Sequence, residues 1–514
     1  MVYRVFTGAL RGIECSLVSV EVDVSNGLPM MEMVGSLSKE VKEAQMRVRV
    51  ALKNAGIAIP PQRITVNLAP ASLQKEGNQY DLPISAALLS ALGMISPGRL
   101  EGLLIAGELG LDGEVKPVRG CLPMVLKARA EGIQECILPS DNAKEGAVVS
   151  DIKIVGVKRL EDMIAYLKLD AAERSRYYAV SDSDDNDRLQ RPLPDFGELY
   201  GQEGVKRAME IAAAGFHNLL MIGPPGAGKT MAAKRLPGIL PPITEEEALE
   251  VSKIYSVAGK LKGGSLIKER PFVAPHHSAT LQALAGGGQN PRPGLISHAH
   301  KGVLFLDEVV HFSSAALEVL RQPLENKKVL IARSMASYEF PAEFMLVAAM
   351  NPCPCGNYPD PQRCRCSEEQ VRRYLNRLSG PLLDRIDLCV EMGRISLDEY
   401  RQSNEGAEAS INSEMMRERV LAARAAQEER FKNEKICFNA QMGVAELERF
   451  VSLKEPERQY MDKVYDSLHL SLRSYHRVLK VARTIADIDG CKDVGLDQLK
   501  EALCYRGVED RYWG

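Results

Sequence analysis

Three short runs of the chain, Leu219–Ile222, Val303–Leu306 and the segment 344–350, are apolar at every position. Strands without a polar face belong inside a parallel sheet covered on both sides, so these runs predict a doubly wound α/β core. Helical spacing flanks them, over 203–214 before the first run and over 313–324 after the second. Upstream the pattern differs. Positions 14–24 and 63–68 alternate as strands do, and Val41, Ala44, Val48, Ala51 and Leu52 share one face of a helix predicted over 38–55, with Gly56 as its stop. Downstream, 413–431, Val444–Phe450, 457–468, 471–488 and 496–505 carry the period of short amphipathic helices. In 471–488, Leu472, Tyr475, Leu479, Ala482 and Ala486 fall inward, and Arg473, Arg477 and Lys480 share another face.

This patterning divides the chain into a multidomain α/β protein. An N-terminal α+β unit spans 1–169, a central doubly wound parallel sheet spans 193–392, and a C-terminal helical lid spans 393–514. Between the first two, 170–192 is predicted to be an acidic linker. It holds Asp182, Asp184, Asp185 and Asp187 with almost no large aliphatic residues, too few to bury the surface that ordering requires.

Composition narrows the classes. With 26% charged residues and a net charge of −3 over 514 residues, there is no global basic footprint, so any contact with nucleic acid must come from a local patch. No run is apolar enough to span a bilayer, which predicts no membrane partner. The best candidate, 82–95, is broken by Pro83, Ser85, Ser90 and Gly93 and reads as a buried helix. The N-terminus lacks the pattern of a secretory signal, and 11 cysteines, an odd number, suggest reduced thiols in the cytoplasm.

Chemistry enters where the apolar runs end. Gly223, Pro224, Pro225, Gly226, Ala227, Gly228, Lys229 and Thr230 follow the first run and open a helix, the G-x-x-x-x-G-K-[ST] arrangement that cradles nucleotide phosphates. The glycines let backbone N–H groups close on phosphate oxygens, Lys229 reaches the β- and γ-phosphates of ATP, and Thr230 ligates magnesium. The second run ends on Asp307 and Glu308. Asp307 is expected to hold the same Mg²⁺, and Glu308 to polarise the attacking water. Asn351 stands at the end of the third run, at the sheet edge where ligands bind, and is expected to sense the γ-phosphate.

Several stretches leave alternatives open. Phe196, in the turn before the helix over 203–214, would either cover an adenine or pack in the core. The run from Pro275 to Gly294, with His276, His277 and Arg292, is glycine- and proline-rich and predicts a mobile loop facing a pore rather than a metal site. Segments 327–333 and 338–341 read as a hairpin with Lys327, Lys328 and Arg333 near its ends and tip, either following a polyanion or simply solvated. Cys353, Cys355, Cys364 and Cys366 form two close pairs that suit a structural Zn²⁺, the alternative being four free thiols. Arg385, after a short helix, would act as an arginine finger on a neighbouring subunit or pair with Asp384 or Asp387. Arg473, opening a lid helix, stands where a second phosphate sensor is expected.

The segments 63–68 and 75–83, with Gly113 to Gly120, resemble the Lon-protease-like domain. A serine–lysine peptidase needs a serine at the helix opening, and here Gly77 to Asp81 supplies none before Ser85. The phosphate loop, Leu306-Asp-Glu308, the glycine-rich insertion, Asn351 to Gly356 and Gly380 to Asp387 together resemble the YifB/ComM family of magnesium-chelatase-like AAA+ ATPases. That resemblance implies a homo-hexameric ring coupling ATP hydrolysis to movement on single-stranded or branched DNA, as a branch-migration helicase in recombination of incoming DNA. A chelatase-like motor remodelling a partner protein is the alternative, and an ATP-dependent peptidase the reading least supported.

Overall fold

Alternation in the first 170 residues builds a seven-stranded mixed sheet in the order Met30–Val34, Arg63–Ala69, Glu14–Ser25, Tyr3–Arg11, Leu103–Ile105, Glu135–Pro139, Lys153–Val157. The computed structural model describes residues 2–170, 172–179, 193–261, 264–288, 290–333, 337–394 and 411–513. Ser38 caps the helix Lys39–Asn54 by accepting the Val41 N–H, and the five apolar residues named above are its buried face. The helix Asp81–Ala91 packs between this helix and the sheet, which is why it is buried on every side. Its serines stay satisfied by turning inward: Ser85 donates to the Asp81 carbonyl at 2.9 Å and Ser90 to that of Ile95 at 3.1 Å.

The three apolar runs lie side by side in a five-stranded parallel sheet, in the order Phe272–Val273, Val303–Leu306, Met345–Met350, Leu219–Ile222, Leu388–Glu391. Ile222 is level with Met350, and Leu306 with Ala348, so Gly223, Asp307 and Asn351 all emerge at the carboxyl edge. The lid helices are Ser413–Arg430, Val444–Phe450, Glu455–Ser467, Leu472–Ile488 and Leu496–Trp513. Among the described residues no helix is long and apolar enough to cross a membrane.

Several expectations are corrected. The helix expected over 313–324 is two, Ser314–Glu318 and Arg321–Asn326, because Pro323 has no N–H for the Val319 carbonyl and its ring crowds that turn. The insertion is no loose loop. Gly286–Gly287 pairs antiparallel with Arg292–Pro293, and a Cβ on Gly286 would meet the Arg292 carbonyl oxygen at 2.2 Å. The first part of the expected linker packs on the sheet: the Ala179 N–H donates to the Ile154 carbonyl at 2.8 Å and Tyr177 meets Tyr166 edge-on. The aspartates at 182–187 lie outside the described residues, as do the hairpin tip at 334–336 and the start of the lid at 395–410. Leu472, expected to face inward, is exposed at the first turn of its helix, whereas Arg477 is buried.

The helix Glu245–Ala258 bridges the N-terminal unit and the insertion, packing on Cys121–Ala130 on one side and on Arg292–Pro293 and Leu295–His298 on the other. Thr244 and Glu247 form a capping box, and Gly259 closes the other end with a left-handed φ of 69°. Its far end docks on the N-terminal unit: the Gly120 N–H donates to the Ser256 carbonyl at 3.1 Å, and the Ser256 hydroxyl bonds the buried Glu145 carboxylate. On the same side, the hairpin strands Lys328–Ala332 and Ser337–Pro341 reach the first turn of the chain, where Phe340 packs with Ile13 and Ile254.

Candidate nucleotide site

The loop after Leu219–Ile222 turns through glycines that no other residue could replace without strain. Gly226 and Gly228 have φ of 78° and 96°, and a Cβ on Gly223 would meet the Met392 carbonyl oxygen at 2.6 Å. Lys229 begins the helix Lys229–Arg235 with its ammonium folded into this loop, donating to the carbonyls of Gly223 at 2.6 Å and Pro224 at 2.9 Å. Its third bond goes to Asn351 Oδ1 at 3.0 Å. Burial pulls the Lys229 ammonium below its ordinary range, and the Asp307 and Glu308 carboxylates oppose that shift.

Thr230 donates to Asp307 Oδ2 at 2.6 Å, so a hydroxyl and a carboxylate oxygen converge at the mouth of the loop. Two hard oxygen donors beside a cradle of glycine backbone and a buried ammonium fit a nucleoside triphosphate with Mg²⁺. Glu308 follows in the left-handed region at φ 50°, uncommon for a side chain of this size, and its carboxylate is exposed at the same edge. His277 Nδ1 stands 3.9 Å from Glu308 Oε2, in a row of rings with His276 and His311. The insertion therefore folds over the acidic turn, which its sequence spacing did not disclose. Phe196 is buried in the core beneath the sheet and offers no face to a base.

Arg385 and Arg473 lie elsewhere. Both guanidiniums meet Glu325 Oε1, Arg473 at 2.8 Å, and neither Asp384 nor Asp387 holds Arg385. Arg473, with Arg385, holds the Glu325 carboxyl below its usual range. Asp384 faces Arg477 at 3.5 Å, and Asp387 Oδ2 faces His217 at 3.5 Å. Arg477, which shares a helix face with Arg473 and Lys480, donates to the carbonyls of Leu383 at 3.1 Å and Ile386 at 2.5 Å, bracing the turn that carries Arg385. Among the described residues, no hydrogen bond or ion pair of Lys229, Thr230, Asp307, Glu308 or Asn351 involves an arginine.

Two residues past Asn351 the chain enters the cysteine loop. Cys353, Cys355, Cys364 and Cys366 bring their sulfurs within 4.8 Å of one another. The backbone N–H groups of Arg365 and Asn357 lower the Cys355 thiol to about 6, whereas burial pushes Cys366 up to about 12.

At the turn where a peptidase would carry its nucleophile, Gln79 Nε2 donates to the Gly8 carbonyl at 3.2 Å, and Asp81 is held by Arg47 at 2.6 Å. The Ser85 hydroxyl is buried and committed to its own helix. A cavity of about 420 Å³ opens beside this turn, bordered by Glu76, Glu108, Arg119 and Arg292, and none of the described residues in its wall is a serine or a lysine.

The sequence model of the family described as magnesium chelatase, subunit ChlI, matches residues 195–400. A second for subunit ChlI matches 20–142, and one for the ChlI C-terminal part matches 410–506. The chain is 43% identical over 509 residues to competence protein ComM of Haemophilus influenzae, covering 98% of this chain and 97% of that one. It belongs to the YifB/ComM family of magnesium-chelatase-like proteins. An Escherichia coli relative, the uncharacterized protein YifB, is 41% identical over 506 residues, covering 98% and 97%. The magnesium-chelatase 38 kDa subunit of Rhodobacter capsulatus is 26% identical over 330 residues, covering 60% of this chain and 85% of that protein. Membership agrees with the geometry: this YifB/ComM-family chain carries the ATP site of a magnesium-chelatase-like AAA+ ATPase, in which Thr230 and Asp307 would hold Mg²⁺ and the ion would supply charge neutralisation at the phosphates. Glu325 and Arg477 were not singled out as functional from sequence, since each gains its role from a partner far along the chain.

Proposed function

We propose that the chain is an ATP-hydrolysing motor that assembles into a homo-hexameric ring and moves on DNA, driving branch migration during recombination of incoming DNA. Arg385 and Arg473 support the assembly. They sit together, away from the chain's own Lys229, so the positive charge that a γ-phosphate needs during transfer comes from a neighbouring copy. Within one site, Lys229 and the loop N–H groups bind the phosphates, Asn351 orients the water, and Glu308 takes its proton. DNA is favoured by the likeness to a protein named for competence and by the exposed Lys328 on the hairpin and Arg292 in the insertion. The magnesium-chelatase relative supports a second reading, a motor that remodels a partner protein.

The deciding assay is steady-state ATP hydrolysis with and without single-stranded, duplex and four-way-junction DNA over a range of salt. Stimulation that weakens steeply with salt is expected, since phosphate contacts release counterions. A rate indifferent to every DNA would refute the DNA reading and favour protein remodelling. Mixing Arg385→Ala with Lys229→Ala chains tests the ring itself: each repairs a different face of a shared site, so partial recovery of activity is expected, and none would refute a shared site.

A further inference from the structure

We propose that Cys353, Cys355, Cys364 and Cys366 bind one zinc ion, and that this ion fixes Asn351 against the phosphate loop. The sulfur of Cys353 lies 3.4 Å from that of Cys355 and 3.8 Å from that of Cys364, and Cys355 and Cys364 are 3.7 Å apart. A tetrahedral site with metal–sulfur bonds of about 2.3 Å has sulfur–sulfur edges of about 3.8 Å, so the four thiols already outline one metal ion's coordination shell. The shell is too small for a cluster of several irons, and four thiolates with no oxygen donor select zinc over magnesium or calcium. The outer groups are also in place. The Tyr358 N–H points at Cys353 Sγ at 3.4 Å and Asn357 Nδ2 at Cys355 Sγ at 3.9 Å, the kind of donors that orient and stabilise metal thiolates.

The loop between the two pairs has almost no core of its own, and its contacts show what the ion would hold. Asn351, whose side chain takes the Lys229 ammonium, is two residues before the first ligand. Gly356 lies so close to Pro225 of the phosphate loop that a Cβ there would meet Pro225 Cδ at 2.4 Å. On the other side Tyr358 meets Tyr512 at 6.1 Å between ring centres, and Trp513 Nε1 donates to the Leu375 carbonyl at 3.2 Å. One ion thus joins the end of the Asn351 strand, the phosphate loop and the last helix of the lid.

The test is metal analysis of the purified full-length protein, followed by replacement with cobalt. About one zinc per chain is expected, and the cobalt form should show the visible absorption of a tetrahedral four-thiolate site. Cys364→Ser should lose the metal, Cys364→His, which keeps a zinc ligand, should retain it, and the exposed Cys437→Ser should match the unaltered protein. Chelation of the unaltered protein makes the result independent of any variant's folding: it should lower kcat at least tenfold with a smaller change in ATP affinity, and zinc should restore it. Metal-free protein from zinc-supplemented cells, iron in place of zinc, or full retention by Cys364→Ser would overturn the site. Unchanged kcat after complete removal of the ion would overturn its link to Asn351. Metal content and the cobalt spectrum are read without ATP, so loss of the ATPase reading would leave them standing.

Discussion

Replacing Gly356 with alanine tests how tightly the cysteine loop is fitted to the phosphate loop. Gly356 has φ 77°, and a Cβ would lie 2.4 Å from Pro225 Cδ and 2.9 Å from Cγ. The left-handed backbone costs an alanine about 1–2 kcal/mol. Relieving the contact to an ordinary separation requires about 1 Å of movement, and overpacking of that kind costs about 1–3 kcal/mol. The sum is about 2–5 kcal/mol, and part of it falls on Pro225, displaced within the loop that cradles phosphate. Gly356→Ala should therefore weaken ATP binding by about tenfold to a hundredfold, read as Kd for a fluorescent ATP analogue. Gly93→Ala is the control, because Gly93 shares the left-handed backbone at φ 74° but has nothing within 4 Å of its would-be Cβ. It should lose stability through the backbone alone and bind ATP normally. If Gly356→Ala also bound ATP normally, the two loops would not be mechanically joined.

Glu308→Gln should keep ATP binding and lose turnover by about 10²- to 10⁴-fold, measured by phosphate release; normal turnover would remove Glu308 as the base. Asp387 provides a pH test. Burial pushes its carboxyl up, but His217, Lys480 and the Asn218 N–H more than offset this, so it sits below the ordinary range. A depressed folded value means that its contribution is present above the unfolded value of about 3.9 and is lost as pH falls through the folded one. Asp387→Asn should accordingly lower thermal stability at neutral pH, with the gap to the unaltered protein closing in acid; a gap independent of pH would show that charge is not the cause.

Much of this was legible because local sequence determines it. The phosphate loop needs its glycines, and the three all-apolar runs could only be interior strands. The helix 38–55 carried its own cap and stop. What was missed depends on distance along the chain. Glu325 lies 60 residues from Arg385 and 148 from Arg473, so no spacing rule could pair them. His277 reaches Glu308 because Phe272–Val273 lies parallel beside Val303–Leu306, with Val273 level with Leu304, so both residues follow their strands at the same edge. The helix Glu245–Ala258 is a different case: Thr244, Glu247 and Gly259 are plain start and stop signals that could have revealed it. The first part of the expected linker departs for a third reason, since Tyr177 is an aromatic anchor on Tyr166 in a segment judged by its aspartates, which lie outside the described residues.

Glu325 has a consequence for how the proposed ring would respond to nucleotide. A lone chain keeps two guanidiniums on one carboxylate oxygen, so both are already partnered, and one of their two charges is offset, before any neighbour arrives. Engaging a neighbour's phosphate means giving up Glu325, and that exchange is worthwhile only when the neighbour holds a triphosphate. Subunit association and ATP binding would then be linked, and linkage is reciprocal: whatever factor ATP adds to the association constant, association must add to the affinity for ATP. Weakening the Glu325 carboxylate would raise association of the empty subunits and shrink that shared factor, turning a ring assembled on demand into one that is always closed.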